Sequence, residues 1–138
     1  MKYFLLILAL LLPGLAPADV LVVVNAANPV RSMTAEEVAA LYLGRSRSFP
    51  GGEFALVFDH PRDSELRRKF FKQVANMAIG QVNTYWSRLM FSGQEMPPQV
   101  LPTEQAVIDI VRRNPGAIGY LSAPPKESGL RVVLTVKD

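Results

Sequence analysis

The sequence contains no cysteine, a single histidine and a single tryptophan in 138 residues. Without cysteine there is no disulfide, no thiolate nucleophile and no lipid anchored on a cleavage-site cysteine. With His60 as the one imidazole, a zinc-type site would have to be built mostly from carboxylates, and no acidic run has the spacing of a calcium loop. No Gly-x-Ser-x-Gly elbow occurs between a strand and a helix. Charge of one sign is lacking too: 15 basic residues stand against 12 acidic ones, a surplus too small to point to nucleic acid. Nor is there an apolar run of the about 20 residues needed to cross a bilayer core. The sequence therefore implies no metal, no cofactor and no membrane span.

What the chain does have begins with a leader. Lys2 supplies a positive start, Tyr3 to Leu12 are uninterrupted apolar residues, and Pro13-Gly14 break the helix. Ala16-Pro17-Ala18 then offer the small side chains that signal peptidase accepts. The expectation is export, with residues 1–18 cleaved and residues 19–138 forming one soluble periplasmic domain. Taking 18 residues from 138 leaves 120, the size of a single core. Lys2 leaves with the leader, so 14 of the 15 basic residues remain against 12 acidic. A weakly basic surface of this kind suits a small anion or an acidic partner, as it suits many ordinary domains.

The domain reads as strands alternating with helices. Val20-Leu21-Val22-Val23-Val24 is a β-branched run of the type found in buried strands. Thr34-Ala35-Glu36-Glu37 has the capping-box pattern, Val38, Leu41 and Tyr42 follow at helical spacing, and Gly44 suits the left-handed position that ends a helix. Phe54 to Phe58 reads as a second strand leading through Asp59-His60-Pro61-Arg62-Asp63 to a helix that starts near Ser64. There Leu66, Phe70, Val74 and Met77 form the apolar face. Arg67, Arg68, Lys69 and Lys72 read as the solvated side, although such a cluster also suits an acidic partner. A helix over 81–91 turns Val82, Tyr85, Trp86, Leu89 and Met90 inward, a short strand is expected at Val100-Leu101, and Thr103 caps a helix that ends at Asn114. Strands at 117–121 and 130–136 complete the chain. The alternation predicts an α/β architecture with helices covering a sheet.

Three segments resemble the phosphate-binding branch of the type II periplasmic binding proteins. They are Met33 to Gly44, with its helix and Leu-Gly ending; the strand Phe54 to Phe58 with its polar turn into the Ser64 helix; and Asn114-Pro115-Gly116-Ala117-Ile118-Gly119-Tyr120. The last is the most specific, being similar to that family's Thr-Pro-Gly-Ala-Ile-Gly-Tyr strand entry. The resemblance implies a single lobe of that fold, a central mixed sheet flanked by helices, where usual members have two. It also implies an oxyanion site at the N-terminus of the Ser64 helix, where unpaired N–H groups and the helix dipole favour negative charge. The family's turn reads approximately Arg-Ser-Asp-Gly-Ser-Gly-Thr. Ser64 stands where the family has its ligand serine, His60 where it has arginine, and Arg62 where it has aspartate. Asp63 and Glu65 replace two glycines.

The site expected from this likeness comprises Ser64, Arg62, His60 and Glu65, with Asp63 expected as the N-cap. Asp59, His60 and Ser64 are also the residue types of a nucleophilic triad, but they crowd one turn with no identifiable oxyanion hole, which argues against an enzyme. The functional expectation is a periplasmic solute-binding-like protein for phosphate or another oxyanion, part of or derived from an ABC-transporter phosphate-uptake system. The rival expectation is a ligand-free interaction or sensory module of the cell envelope, with a protein partner or a second copy of the chain. A long apolar surface patch would favour the rival.

Overall fold

The computed structural model describes residues 19–137. The leader expected over 1–18 lies outside them. The order is β1 (Val20–Asn25), α1 (Ala35–Tyr42), β2 (Leu56–Asp59), α2 (Glu65–Ala75), α3 (Ile79–Phe91), β3 (Gln99–Val100), α4 (Glu104–Arg113), β4 (Ala117–Leu121) and β5 (Leu130–Val136). The strands form one mixed sheet in the order β3-β2-β4-β1-β5. β2 runs parallel to β3 and β4, whereas β1 is antiparallel to β4 and β5.

β1 and β4 are buried along their whole length, which is why both read as continuous apolar runs rather than alternating ones. Period-two geometry divides their side chains between two layers. Val20, Val22 and Val24 pack with α1, α2 and α3, through residues such as Val38, Phe70 and Trp86. Val23 and Leu121 face the other way, onto Val107, Ile108 and Val111 of α4.

Gly119 lies opposite Val23 in the β1–β4 register, and a Cβ there would come within 2.5 Å of Val107 Cγ1. The missing side chain lets α4 lie directly on the sheet. Gly119→Ala is accordingly expected to cost about 1–3 kcal/mol by overpacking. A thermal melt checks this, with the midpoint falling by about 4 °C per kcal/mol.

Both ends of α1 follow their sequence signals. Thr34 Oγ1 accepts the Glu37 amide at 3.1 Å while Glu37 returns to the Thr34 N–H at 2.9 Å. At the other end Gly44 has φ +69°. Its N–H reaches the Leu41 carbonyl and the Arg45 N–H reaches Ala40, a Schellman ending.

The structure differs from expectation at several element ends, β3 spanning Gln99–Val100 rather than Val100-Leu101. β2 begins at Leu56 rather than Phe54, because the 48–54 segment folds back on itself through a Ser48–Phe54 bridge and leaves Phe54 exposed. α3 begins two residues early because Gln81 Oε1 accepts the Ala78 N–H and ties down the first turn. At its other end Met90, expected inward, is 48% exposed, and Phe91 beside it is 94% exposed.

Candidate functional site

The end of β2 is built on a buried acid. Asp59 closes the strand at 3% exposure, and a carboxylate so placed needs donors on every side. Arg67 Nε donates to Oδ2 at 3.1 Å. The His60 amide donates to Oδ1 at 2.8 Å, and the Tyr120 hydroxyl donates to the same oxygen. Arg67 then spans outward, its Nη1 donating to Asn83 Oδ1 of α3 at 3.0 Å and to the Arg62 carbonyl at 3.5 Å. Its guanidinium also lies 5.2 Å from the Phe71 ring centre. Arg67, expected on the solvated side of α2, is therefore a core residue. Its spacing to Phe70, Phe71 and Val74 is that of the buried stripe, a signal that the charge of the side chain concealed.

His60 belongs to this buried layer as well. It is 3% exposed, and its Nε2 lies 2.7 Å from the Tyr120 carbonyl. A carbonyl only accepts, so Nε2 carries a proton there. The imidazole ring tilts against Tyr120 with centres 4.6 Å apart. Among the described residues no bond joins His60 to Ser64, so Asp59, His60 and Ser64 do not form a relay. Nor do the described residues contain a group of three or more potential metal ligands.

Beyond His60 the chain turns, the Ser64 amide donating to the Pro61 carbonyl at 2.9 Å and leaving Arg62 and Asp63 exposed at the tip. Ser64, not Asp63, is the N-cap of α2: its φ and ψ are −63° and 131°, and its Oγ accepts the Arg67 N–H at 3.1 Å. Both residue types cap well, and the Pro61–Ser64 turn decides between them. With its oxygen serving Arg67, the Ser64 hydroxyl proton is left free to donate outward. The amides of Glu65 and Leu66 find no acceptor among the described residues. Glu65 does not close the mouth, because its exposed carboxylate pairs with Arg68 one turn along. That hydrogen bond holds the Glu65 carboxyl below its ordinary range. The structure thus gathers the Ser64 hydroxyl and two amides without an acceptor among the described residues, places Arg62 in the adjoining turn, and keeps His60 inside.

A separate groove of about 540 Å³ opens at the β3 side of the sheet. Phe54, Leu56, Met90 and Met96 line it, all of them exposed, above a floor that includes the buried Trp86. The ion pair between Arg47 and Glu95 crosses its rim.

No family model matches the sequence, and no curated protein matches it. Solved structures do. A protein from Clostridium perfringens described as a phosphate ABC transporter substrate-binding protein by assignment, and solved with bound phosphate, superposes with a TM-score of 0.67 at 20% identity. The match covers 86% of this chain and 45% of that one. An ABC-type phosphate transport receptor from Vibrio cholerae gives 0.66 at 18% identity over 86% and 46% of the two chains. PstS from Borrelia burgdorferi gives 0.57 at 12%, over 89% and 59%. The fold is that of one lobe of these solved structures. The chain spans about half the length of these proteins. At such identities the likeness is one of architecture. Within this lobe the Asn114-Pro115-Gly116 turn leads into a central strand, and the Pro61–Ser64 turn leads into α2, as the resemblance implied. No helix among the described residues is long and apolar enough to cross a membrane.

Proposed function

We propose that the chain is an exported, solute-binding-like lobe that takes phosphate or another small oxyanion at the N-terminus of α2, as part of or derived from an ABC-transporter phosphate-uptake system. The observation that carries this reading is the pair of amides at Glu65 and Leu66 that have no acceptor among the described residues, flanked by the hydroxyl of Ser64. Such a mouth attracts an anion through its unpaired N–H groups and the dipole of an 11-residue helix. Arg62 adds a cation beside it, and Arg68 neutralises the carboxylate of Glu65. His60 contributes from beneath, by holding the turn against Tyr120. The expected mode is binding, not catalysis.

One open wall sets the strength. A ligand that remains half in water makes weak ionic contacts, so dissociation constants near the millimolar level, about −4 kcal/mol, are expected. A second copy or an envelope partner closing the site would tighten it. Calorimetric titration of residues 19–138 with phosphate and sulfate at low salt tests the reading. Saturable heat is expected, weakened about tenfold in Ser64→Ala, the low end for loss of a hydrogen bond to a charged group because the site stays half in water. Absence of saturable heat at millimolar anion removes the proposal.

The groove at the β3 side supports a second reading, in which the same lobe serves as a ligand-free interaction or sensory module of the envelope. Phe54 and Met96 are 62% and 77% exposed there, and clustered large apolar residues on a surface mark contact sites more often than isolated ones do. A stable cross-linked partner together with a silent anion titration favours this second reading.

A further inference from the structure

A cavity of about 420 Å³ separates the Pro61–Ser64 turn from the outer side of α3. Arg62 approaches it from the turn and Arg88 from the helix. Both arginines are exposed, and neither guanidinium makes an ion pair or hydrogen bond to a described residue. No acidic side chain lines the cavity. The wall between the two cations is made of Asn83, Thr84 and Ser87, while Gly80 leaves space where a side chain would stand.

Asn83 is oriented from behind. Arg67 can only donate, so the Asn83 atom 3.0 Å from its Nη1 is the carbonyl oxygen. The NH₂ of Asn83 is then left to donate on its other side. Arg67 is fixed in turn by buried Asp59, so the core sets the direction in which this amide points. Two guanidiniums, one amide NH₂ and two hydroxyls offer hydrogen-bond donors with no fixed negative charge among them, a set that fits a multi-oxygen anion. Phe91 closes one end with its ring 94% exposed. An inorganic ion would leave that ring bare in water, whereas an anion with an apolar or aromatic substituent would cover it.

We infer that this cavity is a second anion site, one that takes an organic phosphate whose phosphoryl group lies between Arg62 and Arg88 and whose substituent packs on Phe91. It shares Arg62 with the mouth of α2 but uses neither Ser64 nor the amides of Glu65 and Leu66, so it stands whether or not that mouth binds.

Phenyl phosphate and inorganic phosphate, titrated separately into the ¹⁵N-labelled chain and followed by amide shifts, test it. The expected result is tighter binding of phenyl phosphate, with shifts centred on Thr84, Ser87 and the Asn83 side-chain NH₂. Arg88→Gln should weaken phenyl phosphate about fivefold, since a charged hydrogen bond is lost from an exposed site. Phe91→Ala should abolish the preference over inorganic phosphate, a loss of about threefold in affinity, without altering inorganic phosphate binding. Both α3 substitutions fall on exposed side chains, so the fold is retained. Equal affinity for the two phosphates, shifts confined to Glu65 and Leu66, or an unaltered titration in Arg88→Gln would each overturn the proposal.

Discussion

Asp59→Ala is expected to remove about 3–5 kcal/mol of folding free energy, the cost of breaking a buried ion pair from one side. The reason is what the substitution leaves behind. Arg67, only 8% exposed, would keep its charge in the core with Asn83 and the Arg62 carbonyl as remaining partners. The Tyr120 hydroxyl and the His60 amide would lose their acceptor as well. Urea unfolding measures the effect as a fall in midpoint of about 2 M for a slope near 2 kcal/mol per M, with the slope itself unchanged. Arg67→Met is expected to cost less, because Asp59 retains two donors after it. The double variant Asp59→Ala/Arg67→Met should be more stable than the sum of the two, since no orphaned charge remains. A loss below about 1 kcal/mol in Asp59→Ala would mean that water reaches the pair. The same network ties Arg67 to the Arg62 carbonyl and to Asn83, so it positions both the turn before α2 and the wall of α3. Weaker anion binding in Arg67→Met than in the parent chain, at equal folded fraction, would register that positioning role.

What the sequence disclosed and what it hid divide along physical lines. Signals that act within a few residues were legible. The capping box at Thr34 and Glu37, the left-handed Gly44, the apolar runs of β1 and β4, and the Asn114-Pro115-Gly116 entry to β4 all stand where local chemistry placed them. The lobe was legible only through the family resemblance that three such segments in one order carry, whereas the alternation of strands and helices by itself gave an α/β sheet. Arg67 was not. Its charge made it read as solvated, and only Asp59, eight residues earlier on another element, explains why it is inside. His60 is a similar case, since nothing within its own turn reveals that the Tyr120 carbonyl lies above it. The choice of Ser64 over Asp63 as cap depends on a turn of four residues rather than on either side chain. Met90 and Phe91 continue a helical apolar pattern past the area the sheet can cover, and periodicity carries no information about where that area ends.

Phe70→Ala is expected to cost about 3–5 kcal/mol at neutral pH and to lower the pH at which the fold fails. Phe70 is fully buried and stacks on Tyr120 with centres 3.8 Å apart and planes 6° from parallel. It meets Tyr42 and Phe71 edge-on at 4.7 and 5.0 Å. Removing it opens a cavity against two buried phenols. Burial, reinforced by the nearby Asp59 carboxylate, raises the pKa values of Tyr42 and Tyr120 well above the ordinary tyrosine value. The sign follows from which state holds the proton. Below about pH 10 both folded and unfolded chains keep these phenols protonated, and the contribution to stability is fully present. As pH rises further, the unfolded chain releases both protons while the fold retains them. Each phenol then removes about 1.4 kcal/mol of stability per pH unit, until it ionises in the folded state. Alkaline unfolding should therefore be steep, about 2.7 kcal/mol per unit for the pair. Phe70→Ala should move its midpoint down by about one pH unit or more, since the lost packing energy is reached sooner along that slope. Phenolate absorbance recorded with circular dichroism in one alkaline titration tests the coupling. Ionisation of Tyr42 and Tyr120 should coincide with loss of structure, and Tyr42→Phe should halve the slope. Phenolate signals from both residues growing in near pH 10 while the fold stays intact would show that solvent reaches this aromatic layer, and the basis for the Phe70 prediction would go with it.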